Sequence, residues 1–178
     1  GSIDKQFGIN GKVVINNITG SDKWEEFSSL YIDSNGKIFV SGSDSITAFV
    51  MRLNSDGNID KSFGNNGKVI IKNFFVDPSS ISIPMYLDNN GNIYITGIWI
   101  KNISKDKCYD TIYIFKLNND GSFDSTFGNN GILNIDNIAG KDISNGALSI
   151  FVDNQNKIYI TGDSWNGSDW DMFVIKIN

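Results

Sequence analysis

Tryptophans and clustered carboxylates are the side chains in this sequence with the widest chemical reach. Trp165 and Trp170 stand in "DSWNGSDW", interleaved with Asp163 and Asp169 and followed by Asp171. Trp24 lies in "SDKWEEF" and Trp99 in "IWIKNISKDKCYD". Indole rings beside Asp, Asn and Ser form a natural platform for a sugar ring or for the apolar anchor of a partner. The competing use of the same rings is packing, because Trp is usually well buried. Carboxylates could instead run glycoside hydrolysis, which needs an acid and a base or nucleophile on either side of the bond. Glu25 and Glu26 are adjacent and would face opposite sides of a strand. Nothing in the sequence marks one Asp of the 163–171 cluster as apolar and pKa-raised, as a general acid must be. Trp24, Trp99, Trp165, Trp170, Asp163 and Asp169 are therefore expected as ligand-binding residues, with no catalytic residue among them.

The sequence excludes several other chemistries. It contains no histidine, which removes the commonest general base, the serine and cysteine triads, and the usual zinc and iron ligands. Cys108 is the single cysteine, so no disulfide forms within the chain, and its polar setting reads as a spare thiol. A net charge of −5 with scattered cations argues against a nucleic-acid partner or an anionic membrane surface. No apolar run reaches the roughly 20 residues of a membrane-spanning helix. Asn54, Asp56, Asn58 and Asp60 alternate like the first half of a calcium loop, as do Asn118, Asp120, Ser122 and Asp124. The bidentate Glu such a loop ends on is missing, and Asx-turns need the same side chains. No metal or cofactor is expected.

These residues are set on a repeating frame. "GSIDKQFGINGKV" (1–13) returns as "GNIDKSFGNNGKV" (57–69) and "GSFDSTFGNNGIL" (121–133). "SLYIDSNGKIFVSG" (29–42) returns at 84–97 and 149–162, and "AFVMRLN" (48–54) at 112–118 and 172–178. The whole chain, 1–178, divides into repeats 1–56, 57–120 and 121–178. Each repeat holds four short runs of Val, Ile, Phe and Tyr bounded by Asn, Asp and Gly, the signature of strands. Asn-Gly pairs are expected to turn the second run into the third. Pro78 and Pro84 are expected in a connector or at a strand edge. Four strands per repeat of this length predict an all-β propeller, one four-stranded antiparallel blade per repeat. The recurring phrase is then the connector between blades. Phe7, Phe63 and Phe127 tuck between sheets, and paired glycines supply tight bends.

"LNSDGNIDKSFGNNGKV" and "LNNDGSFDSTFGNNGIL" resemble the delta-60 repeat family of bacterial proteins. The resemblance extends over all three copies. It implies a propeller-like fold in a large, secreted or surface-attached protein, hence an extracellular or cell-surface setting. It carries over no catalytic residue, because the shared motif is itself the connector.

Three blades fall short of the four to eight that close a propeller. The chain starts with the connector and an outermost strand and ends on a fourth-type strand, so its ends match head to tail. Two chains closing a six-bladed ring are expected, a three-repeat piece of a longer propeller being the other reading. The expected function is a non-catalytic binding or scaffold module. Its variable loops between third and fourth strands, "SDSI", "IWIKNISKDKCYD" and "DSWNGSDWD", with their Trp residues, would face a glycan or a protein. A glycan-active enzyme using Asp residues, and a purely structural spacer of a surface protein, are the rival readings.

Overall fold

The computed structural model describes residues 1–20, 24–44, 47–72, 83–104, 107–136, 138 and 145–178, with backbone only for 99–104 and 107–110. Among the described residues every regular element is a strand. The first antiparallel sheet runs β1 (Glu26–Ile32), β2 (Ile38–Ser43), β3 (Thr47–Leu53) and β4 (Lys68–Lys72) in that spatial order. The second repeats the pattern with β5 (Met85–Leu87), β6 (Ile93–Ser104), β7 (Lys107–Leu117) and β8 (Ile132–Ile135). The third has β9 (Asn145–Val152), β10 (Ile158–Trp165) and β11 (Trp170–Ile177). The inner strands β1, β5 and β9 succeed one another in contact, which sets the sheets side by side as blades.

Each four-stranded blade takes its outermost strand from the next repeat. Val69 pairs with Val50, and Leu133 with Ile114. The third blade keeps β11 as an open edge. The equivalent of β4 in the first repeat is the segment around Val13 and Ile15, expected as a strand. It forms no ladder and packs instead beside Val40, Phe49, Met51 and Leu53 of the first blade. The reason is geometric: the sheet it would extend is a preceding blade.

Apolar side chains from facing blades fill the gaps between sheets. Phe39, Val50 and Ile71 of the first blade meet Ile93, Ile95 and Leu117 of the second. Ile112 and Ile114 of the second meet Ile150, Ile158 and Ile160 of the third. Phe63, from the recurring phrase, is completely buried in the first gap, and Phe127 takes the same place in the second. The phrases are also bonded to one another. Gly8 N–H donates to Asp56 O at 2.8 Å and Gly64 N–H to Asp120 O at 2.7 Å. Gly64 must lie at φ +53 to do so, where a Cβ would stand 2.4 Å from Lys68 O.

A cation ties the second and the third connector to the blade each one leaves. The Arg52 Nε–H donates to Asp60 Oδ2 at 2.9 Å, and Arg52 Nη1 donates to the Asn119 carbonyl of the next connector at 2.6 Å. Its guanidinium lies over Phe63 at 4.9 Å and Phe39 at 5.7 Å. One repeat on, Lys116 pairs with Asp124 at 2.8 Å and stands over Tyr94 and Phe127. Lys37 Nζ, the Ser62 hydroxyl and Arg52 hold the Asp60 carboxyl far below the ordinary range. Lys116 and Thr126 hold Asp124 at about 2. The alternating Asx positions that imitate a calcium loop are thus engaged as turns and ion pairs. Asp56 accepts from Asn58 N–H, Asp120 from Ser122 N–H.

Two expectations are corrected. The turns between the first and second strands of each blade are five-residue loops built on an aspartate, not two-residue Asn-Gly turns. Asp33 Oδ1 accepts from Asn35 N and Lys37 N, Asp88 Oδ1 from Asn90 N and Asn92 N, and Asp153 Oδ1 from Gln155 N and Lys157 N, all at 2.8–2.9 Å. The third copy, which lacks Gly, puts Asn156 at φ +60 instead. The "IWIKNISKDKCYD" segment, expected as a long loop, is strand as far as Ser104 and again from Lys107, because the two backbones pair across the hairpin from Ile93 with Leu117 to Ser104 with Lys107. Pro78 lies outside the described residues; Pro84 O accepts from Thr96 N at the start of β5.

Gly64→Ala adds both a left-handed backbone penalty and a clash, and should cost about 1–3 kcal/mol. Gly20→Ala, where φ is +79 but no atom of the described residues lies within 4 Å of a Cβ, should cost less. Urea unfolding of the two variants checks the order. Asp124 titrates lower in the folded chain than unfolded, so its contribution is complete above about pH 4 and disappears as pH falls toward about 2. Asp124→Asn should therefore be less stable than wild type at neutral pH and converge with it in acid, read by thermal melts across that window.

Candidate functional site

The β10–β11 hairpin brings most of the expected ligand residues together. Antiparallel register sets Trp165 directly opposite Trp170 and Asp163 opposite Met172. Residues two apart on a strand share a face, so Asp163, Trp165, Trp170 and Met172 all project from one side of the sheet. The two indoles meet edge to face, centroids 5.7 Å apart with planes at 61°. Trp170 is 56% exposed and Trp165 is half-buried.

Asn166 makes this geometry. Its Oδ1 accepts from Ser168 N at 2.8 Å and Asp169 N at 3.1 Å, closing the turn as an Asx motif. Its Nδ2 donates to Asp169 Oδ1 and to Asp171 Oδ2, the latter at 2.8 Å. The turn thus fixes two carboxylates at the rim of the aromatic pair. Beneath it, the Ser164 hydroxyl donates to Asn145 Oδ1 at 2.6 Å, anchoring β10 to β9.

The remaining tryptophans do not join this cluster. Trp24 precedes β1, is 89% exposed and makes no ring contact among the described residues. Trp99 pairs through its backbone with Thr111 in the second blade, and its side chain lies outside the described set, as does that of Cys108. Among the described residues no group of three or more His, Cys, Asp or Glu side chains could hold a metal ion. No described helix is long and apolar enough to cross a membrane.

A second feature went unread in the sequence. Tyr31, Tyr86 and Phe151 occupy the same position on successive inner strands and form a row, with centroids 6.4 and 5.1 Å apart. A cavity of about 570 Å³ opens between Tyr86 and Phe151 and is rimmed by Asp88 and Asp153. Burial, with Tyr31 and Asp88 nearby, pushes the Tyr86 phenol up. The available signal was the aromatic two residues before Asp33, Asp88 and Asp153 in every copy.

Blade-like sheets of one antiparallel pattern, joined by a recurring connector and packed face to face, define a β-propeller-type domain. Comparison by sequence agrees: a β-propeller family described as a domain of unknown function (DUF5122) matches residues 34–63 and 109–127. These segments cover β2, β3 and most of β7, each with the first part of the connector that follows. No curated protein matches the chain.

Asn166→Ala should open the turn and move Trp170 away from Trp165. The expected result is a weaker exciton signal of the indole pair in circular dichroism, with the overall β spectrum retained.

Proposed function

We propose that the chain is a non-catalytic binding and scaffold module of the delta-60 repeat kind, and that its ligand is a neutral glycan held at the β10–β11 hairpin end. The observation that carries this reading is the Trp165–Trp170 pair with Asp163, Asp169 and Asp171 around it. A sugar ring needs an open aromatic face for its C–H surface and acceptors for its hydroxyls. Trp170 supplies the face. Asp169 and Asp171 each give Asn166 one oxygen and keep another as an acceptor. The acidic rim disfavours sulfated or sialylated sugars.

The rival enzyme reading would use these same carboxylates as acid and base. Their exposure on a turn, and their engagement by Asn166, support positioning rather than proton transfer. The spacer reading requires no ligand at all. The resemblance to delta-60 repeats supports an extracellular or cell-surface setting.

A neutral-glycan array followed by calorimetry on the hits tests the proposal. Trp170→Ala should weaken binding by about tenfold or more, the loss of one stacked ring, and Trp24→Ala should leave it unchanged. Sugar release from a bound glycan would favour the enzyme. An array with no signal at all would favour the spacer.

A further inference from the structure

Each blade has two faces, and the repeats allow them to be compared position by position. Leu30 and Ile32 of the first blade correspond to Met85 and Leu87 of the second and to Ile150 and Val152 of the third. Met85, Leu87, Ile150 and Val152 are at most 9% exposed, whereas Leu30 is 65% and Ile32 55% exposed. The exposed pair lines an apolar groove of about 1030 Å³ with Phe27, Val13 and Ile15. At the other end, Met172 and Val174 correspond to Ala48 and Val50, and to Ile112 and Ile114. Those four are at most 1% exposed, whereas Met172 is 88% and Val174 76% exposed. The first blade therefore shows the face that later blades bury against a predecessor. The third shows the face that earlier blades bury against a successor.

The connector clamp is split between the same two ends. Lys176 corresponds to Arg52 and Lys116 and already stands over Tyr159 at 5.2 Å, as they stand over Phe39 and Tyr94. Its missing partners correspond to Asp60 or Asp124 and Phe63 or Phe127. In the first repeat these are Asp4 and Phe7, at the opposite end of the chain. Asp4 already holds its local turn, accepting from Gln6 N at 2.9 Å, as Asp124 accepts from Thr126 N. Among the described residues neither Asp4 nor Lys176 has an ion-pair partner. Apolar faces, backbone edge and charges are complementary between the two ends.

We propose that the occupant of both faces is a second copy of this chain, docked head to tail about a twofold axis to close a six-bladed ring. Each copy donates its Lys12–Ile15 segment as the fourth strand of the other's third blade. The registers of Val50 with Val69 and of Ile114 with Leu133 fix the pairing. Val174 lies opposite Val13 of the partner subunit, and Met172 opposite Ile15 of the partner subunit. Lys176 completes its clamp with Asp4 of the partner subunit. The proposal rests on the repeat equivalences rather than on the glycan reading; Trp165 and Trp170 project from the same face as Met172 but lie beyond the paired Lys12–Ile15 segment.

Light scattering on the full chain should give twice 19.7 kDa, and a monomer at tens of micromolar would overturn the proposal. Val174→Asp and Leu30→Asp change side chains that a lone chain leaves in water, so each should yield a folded monomer. A variant that stays dimeric overturns the head-to-tail arrangement. Mixing the two variants should restore a dimer, because one intact interface remains; failure of the mixture to associate would count against it. In a Cys108→Ser background, Val13→Cys with Val174→Cys should oxidise to a covalent dimer on a non-reducing gel. A cross-linked monomer would overturn the assigned register.

Discussion

The blades of this protein are apolar on both faces, and that constraint shapes everything else. β3 is buried at every residue from Thr47 to Leu53, so a neighbour is needed on each side of it. A single sheet in water would leave one apolar side exposed. Packing sheets face to face covers both sides at once, and burial is then the main driving force for the order of the repeats. The same constraint makes the two ends of the chain the places where its surface is unusual. There, side chains whose equivalents are dry in the interior stand in solvent.

The recurring phrase converts that general force into a defined geometry. It carries the chain out of one blade, lends its strand to that blade, and returns inward to start the next. Backbone hydrogen bonds between successive phrases fix their spacing, and glycine at positive φ lets the backbones approach. The cation of Arg52 or Lys116 does a further job. It satisfies a largely buried carboxylate, covers two aromatic rings and, through Arg52, reaches across to the next connector. Removing one partner of such a largely buried, hydrogen-bonded pair leaves the other charge uncompensated, so the pair holds connector and blade in one arrangement.

Against this rigid frame, the functional candidates lie where the repeats differ. The second and third blades lengthen their central hairpins, and the third places an aromatic pair on the extension. Asn166 is the residue that turns an ordinary hairpin end into a shaped surface, because it uses all four of its side-chain hydrogen bonds locally. The aromatic row of Tyr31, Tyr86 and Phe151 is the opposite case: it is made by repetition and lines the inner edge of the blades.

Much of the architecture was legible in the sequence because it rests on local rules. Strand patterning, Asx turns and recurring glycines read directly as blades and connectors, and Phe63 could be placed between sheets from its position in the phrase. Long-range consequences could not be read in the same way. The polar extension of β6 and β7 reads as loop in the sequence, since Lys, Asn and Ser reveal a strand only when a partner strand pairs with them. The Asp33, Asp88 and Asp153 turns hid behind the more familiar Asn-Gly signal. The facing of Trp165 and Trp170 depends on hairpin register, which Asn166 sets through bonds that composition does not announce. The sequence by itself determined which segments become strands and where the chain turns, because backbone conformation follows from neighbouring residues. Only the tertiary structure decided which faces are covered and which aromatics meet, because those depend on segments far apart in the chain.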